Sequence, residues 1–247
     1  MYTVSWFSAG VSSAVATKLA IDQIDEIIYT HIDDQHKDTL RFVVDCEGWF
    51  GKPITILRSP YRCVANAVFA GGSRYINGPS GAICTRYLKK RVRAEWEMLN
   101  EDKKPFRYVW GLDLAETKPR PPRGVSRVQG ILDAMPDCEH LFPLVERCLE
   151  KEAVHKILKA SGIKRPAMYD LGYHNNNCVG CVKASKGYWN KIRIDFPEVF
   201  AARAALERKC KASCMNGTYL DELDPEAGRK QGTIVEDCGI MCEMLSI

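Results

Sequence analysis

No apolar run in this sequence approaches the length of a membrane-spanning helix, and the first residues enter a strand-like pattern without signal-peptide character. Both absences point to a cytoplasmic protein with no membrane partner. Charge of one sign is not in excess either. The 35 basic and 31 acidic residues leave a net +4, which permits an anionic substrate or an RNA partner without demanding one. Internal repeats are missing, as are the Gly-Lys-Ser/Thr ending of a Walker loop and the paired C-x-x-C signature of a zinc ribbon. The five histidines form no ligand pattern. His140, His155 and His174 stand apart, while His31 and His36 are placed either to touch ribose or adenine or merely to cap a helix. What is present is a chain of 247 residues, 46% hydrophobic and 27% charged, which suits one α/β domain with a sizeable core and a smaller appendage.

The most informative stretch is Ser8-Ala9-Gly10-Val11-Ser12-Ser13. Tyr2–Phe7 before it reads as a buried strand and Ala14–Ala20 after it as the first turns of a helix. A small-residue loop there leaves backbone N–H groups at the positive end of a helix dipole, a ready-made anion site. Small residues at such a turn also serve simply to let backbone pack closely.

Further strands are expected at Glu26–Ile32, Ile54–Leu57 and Phe106–Gly111. Helices are expected through Thr39–Val44, Tyr61–Ala70, Thr85–Leu99, Glu146–Ala160 and Tyr188–Lys209. The alternation implies a doubly wound, mostly parallel sheet with ligands at the carboxyl ends of its strands, where Ser8–Ser13, Asp33, Asp34 and Gly111 would gather. Asp33 and Asp34 are candidates for ribose or magnesium contact. Lys118–Arg127, with three prolines, is either a mobile lid over phosphates or a solvated linker. The character changes near Pro143, which divides the chain into a nucleotide-binding α/β domain at 1–142 and a helical, cysteine-rich region at 143–247.

Eleven cysteines in a reducing compartment favour metal binding or thiol chemistry over disulfides. Cys46, Cys63, Cys138 and Cys148 lie singly and read as packing residues. Cys178-Val179-Gly180-Cys181 follows three asparagines and fits a turn that converges two thiolates on a metal or cluster. Cys84 precedes a basic helix, where the helix terminus and Arg86 would favour its thiolate. Cys84, Cys178 and Cys181 together would bind three irons of a 4Fe–4S cluster. The fourth ligand would come from the tail, with Cys214 the candidate, or the fourth iron would stay open. Zinc is the alternative.

The loop Ser8–Ser13 resembles the Ser-Gly-Gly-x-Asp-Ser loop of PP-loop ATP pyrophosphatases, with Ala9 and Ser12 departing from the pattern. Gly111–Thr117 followed by Arg120 and Arg123 is similar to the Gly-x-x-x-x-Glu-Ser…Arg motif of the PAPS (3′-phosphoadenylyl sulfate) reductase family in that superfamily. Pro143-Leu144, Gly162-Ile163 and Pro166-x-x-Tyr169-Asp170-Leu171-Gly172-Tyr173, running into Cys178-x-x-Cys181, resemble that family's C-terminal half, particularly its divergent phage and bacterial members. The resemblance spans nearly the whole chain. It implies a Rossmann-like PP-loop fold and an adenine nucleotide held by Ser8–Ser13, Gly111, Glu116, Arg120 and Arg123. Where cluster-containing reductases carry adjacent cysteines, this chain has Ile83-Cys84. Asp237-Cys238-Gly239-Ile240 resembles the motif whose cysteine attacks sulfur, but Met241 replaces the expected histidine and Cys242 follows. Cys238 is therefore either a nucleophile or, with Cys242, a metal-ligand or sulfur-carrying pair.

Two enzymatic readings follow. In the first, ATP with magnesium adenylates an acceptor such as a nucleobase or nucleic acid, and sulfur from a cluster or donor displaces AMP. In the second, Cys238 reduces a sulfonucleotide, with a thiol reductant as partner. Retention of Gly10 and Ser13 favours the first. A non-enzymatic nucleic-acid module stands third, using Arg86–Arg93, Lys183, Lys186, Lys191 and Arg193 with Trp96, Tyr188 and Trp189 as stacking residues unless these aromatics are core.

Overall fold

The computed structural model describes the chain apart from residues 71, 73–74, 79–80, 120–123, 216 and 229–247. Apolar side chains on both sides of the backbone make strands of Tyr2–Phe7 (β1), Glu26–His31 (β2) and Ile54–Arg58 (β3). Asn77–Gly78 (β4) and Gly81–Ala82 (β5) form a separate antiparallel ribbon. Phe106–Val109 (β6) and Glu139–Leu141 (β7) complete a five-stranded parallel sheet in the order β3-β2-β1-β6-β7. Strand β1 pairs with β2 on one side, Val4 opposite Glu26, and with β6 on the other, Tyr2 opposite Phe106. The chain therefore changes direction across the sheet at β1, and a crevice opens beyond its carboxyl end.

The helices in chain order are Val11–Leu19 (α1), Asp38–Phe50 (α2), Val64–Ala70 (α3), Ile83–Thr85 (α4), Arg91–Leu99 (α5) and Arg127–Ala134 (α6). They continue with Pro143–Glu146 (α7), Lys151–Ala160 (α8), Ala167–Asp170 (α9), Lys186–Asp195 (α10) and Pro197–Cys210 (α11). Helices cover both faces of the sheet. Phe7, Ile27, Tyr29 and Val109 pack with Val15, Phe42 and Leu158 of α1, α2 and α8. The alternate residues Val4, Trp6, Ile28 and Tyr108 pack with Trp96 of α5 and Ile131 of α6. The fold is thus α/β and Rossmann-like. Among the described residues no helix is long and apolar enough to cross a membrane.

A third core gathers Val64, Ile76, Ile83 and Leu88 with Cys181, Trp189, Ile192 and Leu206. Residues from before and after position 143 share it, and Leu144, Val154 and Leu158 also join the core on one sheet face. Trp96, Tyr188 and Trp189 are buried in these cores, so they form no stacking platform. Cys46 is core as expected, whereas Cys148 is exposed with φ +52°.

That left-handed residue interrupts the helix expected over 146–160, giving α7 and α8 instead. The segment 188–209 is likewise split, because Pro197 cannot donate to a preceding turn and opens α11. The helix expected to start at Thr85 begins at Ile83 and passes through a wider π turn at Arg86–Lys90 before α5.

Candidate functional site

At the carboxyl end of β1, Ala9 adopts φ +57° and Gly10 is extended, which turns the chain sharply into α1. The Ser8 N–H donates to Ser13 Oγ at 3.0 Å, and the Val11 N–H to the Tyr169 hydroxyl at 3.3 Å. Asn176 Nδ2 donates to the Ala9 carbonyl at 2.8 Å. Among the described residues the N–H groups of Gly10, Ser12 and Ser13 donate to nothing, and the Ser8 hydroxyl is buried without a partner. The loop thus offers several donors at a helix N-terminus, the arrangement an oxyanion would satisfy. Gly111, just past β6, lies directly against it. A Cβ there would sit 2.5 Å from Ser13 Cα and 2.7 Å from Ser13 N.

Asp33 and Asp34 follow β2 at the same end of the sheet, but both already have partners. Asp34 accepts from the Val64 N–H at 2.7 Å, which caps α3, and from Arg203 Nη2 of α11 at 2.9 Å. Asp33 pairs with Arg62 at 2.9 Å and more loosely with Arg58 and His31. Burial, and then Arg58, hold the His31 pKa down. Glu116 is also committed. It accepts from the Asp113 N–H at 3.2 Å in a capping box and is ion-paired with Arg127, both side chains being buried. Burial pushes the Glu116 carboxyl up, opposed by the Arg127 guanidinium. Arg127 is therefore part of neither a lid nor a solvated linker. Arg120 and Arg123 lie outside the described residues, as do Cys238 and Cys242.

The cysteine turn docks onto this same edge. The Val179 N–H donates to the Asp34 carbonyl at 2.8 Å, and Cys178 bridges Gln35. The Tyr188 hydroxyl accepts from the N–H groups of Gly180 and Cys181 and donates to the Cys178 carbonyl at 3.1 Å, which fixes the turn. Gly180 has φ +71°, and a Cβ there would meet Val199 at 2.8 Å, so the turn needs glycine at this position. Asn175, Asn176 and Asn177 before the turn are buried. Asn176 bonds both Ala9 and Thr39, while Lys151 donates to Asn175 Oδ1 at 2.7 Å.

Cys84, Cys178, Cys181 and Cys214 all belong to or pack against the third core. Among the described residues no three His, Cys, Asp or Glu side chains are gathered closely enough to hold a metal ion. Burial pushes the Cys84 thiol up despite Lys89, Lys183 and Arg203 nearby, which corrects the expectation that its helix terminus would favour a thiolate. Burial raises Cys214 as well, followed by Glu207, and the neighbouring Cys84 adds to the rise. The donor chemistry suits a soft metal or an iron–sulfur cluster, whose charge would take the place of the thiol protons.

Sequence reasoning missed Asn176, Tyr169, Tyr188 and Arg203 as site-building residues. Tyr169 belongs to the segment Pro166–Tyr173 that resembles the family's C-terminal half, and the asparagine triplet fits the entry to a ligand turn, but neither feature marks the bonds these residues make to the loop at Ala9 and Val11. Arg203 is 5% exposed on α11, and only its place on an apolar helix face could have marked it.

His155 packs edge-on against Tyr169, ring centroids 4.9 Å apart. Burial, and then Lys151 and Arg165, push its pKa down from 6.5 to about 4. The unfolded chain therefore binds the extra proton between these values, and stability should fall as pH drops from 6.5 toward 4. The loss would be about 3 kcal/mol at most, and about half that once solvent screening of the half-buried ring is allowed for. Urea midpoints measured across this range should show the slope flattened in His155→Leu; an unchanged slope would remove His155 as its source.

In comparison with known proteins, no family model and no curated protein sequence matches the chain.

Proposed function

We propose that the chain is a PP-loop enzyme of sulfur metabolism of the PAPS reductase-like type, which uses ATP and magnesium to adenylate an acceptor and then transfers sulfur to it. The observation that carries this reading is the direct junction between the loop at Ser8–Ser13 and the cysteine turn. Asn176 reaches Ala9 at 2.8 Å, and Val179 reaches Asp34 at 2.8 Å. The small-residue loop and the cysteine turn thus meet at the carboxyl end of the sheet, which supports a two-stage reaction that needs a nucleotide and a sulfur donor side by side.

In that reaction the loop N–H groups hold the β- and γ-phosphates while an acceptor oxygen attacks the α-phosphorus. The phosphorus–oxygen bond to pyrophosphate breaks, and pyrophosphate leaves. Hydrosulfide from a sulfur donor then attacks the acceptor carbon and gives up its proton, the carbon–oxygen bond breaks, and the activated oxygen departs with AMP, with no change of oxidation state. Cys84, Cys178, Cys181 and Cys214 pack on one core and would hold a 4Fe–4S cluster, or zinc, only where binding draws their thiols closer than they stand here. When bound, such a cluster supplies a site for sulfide or electrons. Arg203 places positive charge beside Cys84 and Cys214, which offsets the negative charge that thiolate ligands bring. The second reading, a sulfonucleotide reductase, rests on Cys238-Gly239-Ile240 and would use the same crevice.

Calorimetric titration of anaerobically purified protein decides between them. Tight binding of ATP with magnesium and weak binding of PAPS and adenylyl sulfate supports adenylation. The opposite preference supports the reductase, and binding of neither removes both. Cys178→Ala with Cys181→Ala is expected to abolish any iron content and visible absorbance of the purified protein; retention of both would withdraw these two ligands.

A further inference from the structure

On the flank of α8, away from the cysteines, a groove of about 410 Å³ has Lys156, Lys159, Lys164 and Arg165 around a floor of Leu158 and Ile163. No carboxylate lines it. Among the described residues Lys156, Lys159 and Lys164 have no ion pair, whereas Arg165 is paired with Asp170 at 2.7 Å. The loop that carries Lys164 and Arg165 is fixed. Arg41 donates to the Lys164 and Arg165 carbonyls at 3.0 and 3.1 Å, and Asp38 and Asp45 hold Arg41 in turn. Asp38 also accepts from the Ala167 N–H at 2.8 Å, and Gly162, with φ +79°, turns the chain out of α8. The cations therefore project from a braced backbone rather than a loose tail.

The inner wall of the groove is His155, uncharged at neutral pH, whose ring meets Tyr169. The Tyr169 hydroxyl accepts the Val11 N–H of the small-residue loop. One aromatic layer thus separates the groove from the N-terminus of α1.

We propose that this groove binds the phosphodiester backbone of a nucleic acid and brings it to the loop as the acceptor. Unpaired lysines on a rigid frame suit repeated single negative charges, which need neutralisation but no shaped pocket. The apolar floor and the flat imidazole suit sugar and base faces. An acidic protein partner would be met by paired hydrogen-bond donors and acceptors, and the lining offers cations and hydrocarbon instead. The acceptor role rests on the adenylation reading above; the binding does not.

The test is fluorescence anisotropy with labelled 20-nucleotide single-stranded RNA, single-stranded DNA and duplex DNA across a salt series, using the full chain. Lys156→Glu/Lys159→Glu/Lys164→Glu is compared with Lys104→Glu/Lys209→Glu/Lys211→Glu, the same charge change at exposed sites elsewhere. The groove variant should weaken binding at least tenfold more than the control and lower the slope of log K against log salt by about 3, one for each lost phosphate contact. Which oligonucleotide binds best identifies the source of the backbone. Equal losses in the two variants, no binding by the wild type, or equally tight binding to vesicles of anionic lipid or to inorganic tripolyphosphate would overturn the proposal. Oligonucleotide binding without ATP binding would instead remove adenylation and leave the groove standing.

Discussion

Gly111→Ala is expected to destabilise the fold by about 3 kcal/mol or more and to lower the melting temperature by roughly 6–12 °C. The added methyl would sit 2.5 Å from Ser13 Cα and 2.7 Å from Ser13 N, and neither is the movable end of a side chain. Both are backbone atoms in the first turn of α1, whose hydrogen bonds and packing against β1 resist displacement. Relief requires the helix to slide off the sheet or β6 to retreat from β1. The first movement breaks the buried contact between the Ser5 and Thr17 hydroxyls, 2.7 Å apart, and the second breaks the β1–β6 pairing. The donors of the loop move with the helix, so ATP binding should be lost even at temperatures where the variant is folded. Gly48→Ala is the matched control. Gly48 lies within α2 with nothing near its missing Cβ, and alanine there should raise stability by about 1 kcal/mol through helix propensity. Equal melting temperatures for the two variants would mean that the close approach of Gly111 to Ser13 does not constrain the fold.

Most of the sheet was legible because its strands are buried on both faces. Tyr2–Phe7, Glu26–His31 and Phe106–Val109 are mostly apolar or β-branched, broken only by Ser5, by Glu26 and His31 at the ends of the second, and by Arg107, and the loop that follows β1 is conspicuous for its small residues. Strand β7 was not legible. Glu139-His140-Leu141 is short, lies at the sheet edge and pairs with β6 alone, so no hydrophobic pattern marks it. Helix α6 was hidden by the proline-rich run before it and by its own Gly130, although Ser126 caps it by accepting the Gln129 N–H at 3.0 Å. In the site, the loop and the C-x-x-C turn declared themselves by local composition. The groups that join them did not, because Asn176 and Arg203 act across long sequence separations and Tyr188 reaches back to the turn from the following helix. The same holds for Glu116 and Asp34. A strand-end position suggested ligand contact for Asp34, and the resemblance of Gly111–Thr117 to a family motif did so for Glu116; Arg203 and Arg127 are their ion-pair partners.

Asp34 carries the other large expected effect. Its side chain caps α3 through the Val64 N–H, and it also neutralises Arg203, whose guanidinium is buried and whose Nε has no hydrogen-bond partner. Asp34→Ala removes the cap and leaves a buried positive charge uncompensated, so the loss should reach about 3–5 kcal/mol. Arg203→Met should cost less. The Asp34 side chain it leaves behind is 16% exposed and still accepts from Val64. The double variant Asp34→Asn/Arg203→Met retains a polar cap and has no buried charge. It should recover part of the loss, and the deviation from additivity should exceed about 1 kcal/mol. Urea midpoints for the four proteins of the Asp34→Asn and Arg203→Met cycle measure this coupling, and strict additivity would show that the pair contributes nothing jointly. Arg203 also has a chemical readout that a purely structural role would not move. It is one of the cations that oppose the upward shift of both the Cys84 and Cys214 thiols. Removing it should raise both pKa values further and slow their alkylation at fixed pH, while the exposed Cys148 reacts at an unchanged rate. Because Asp34 also offers its carbonyl to Val179, the side-chain pair and the cysteine turn meet at one residue of the β2 edge.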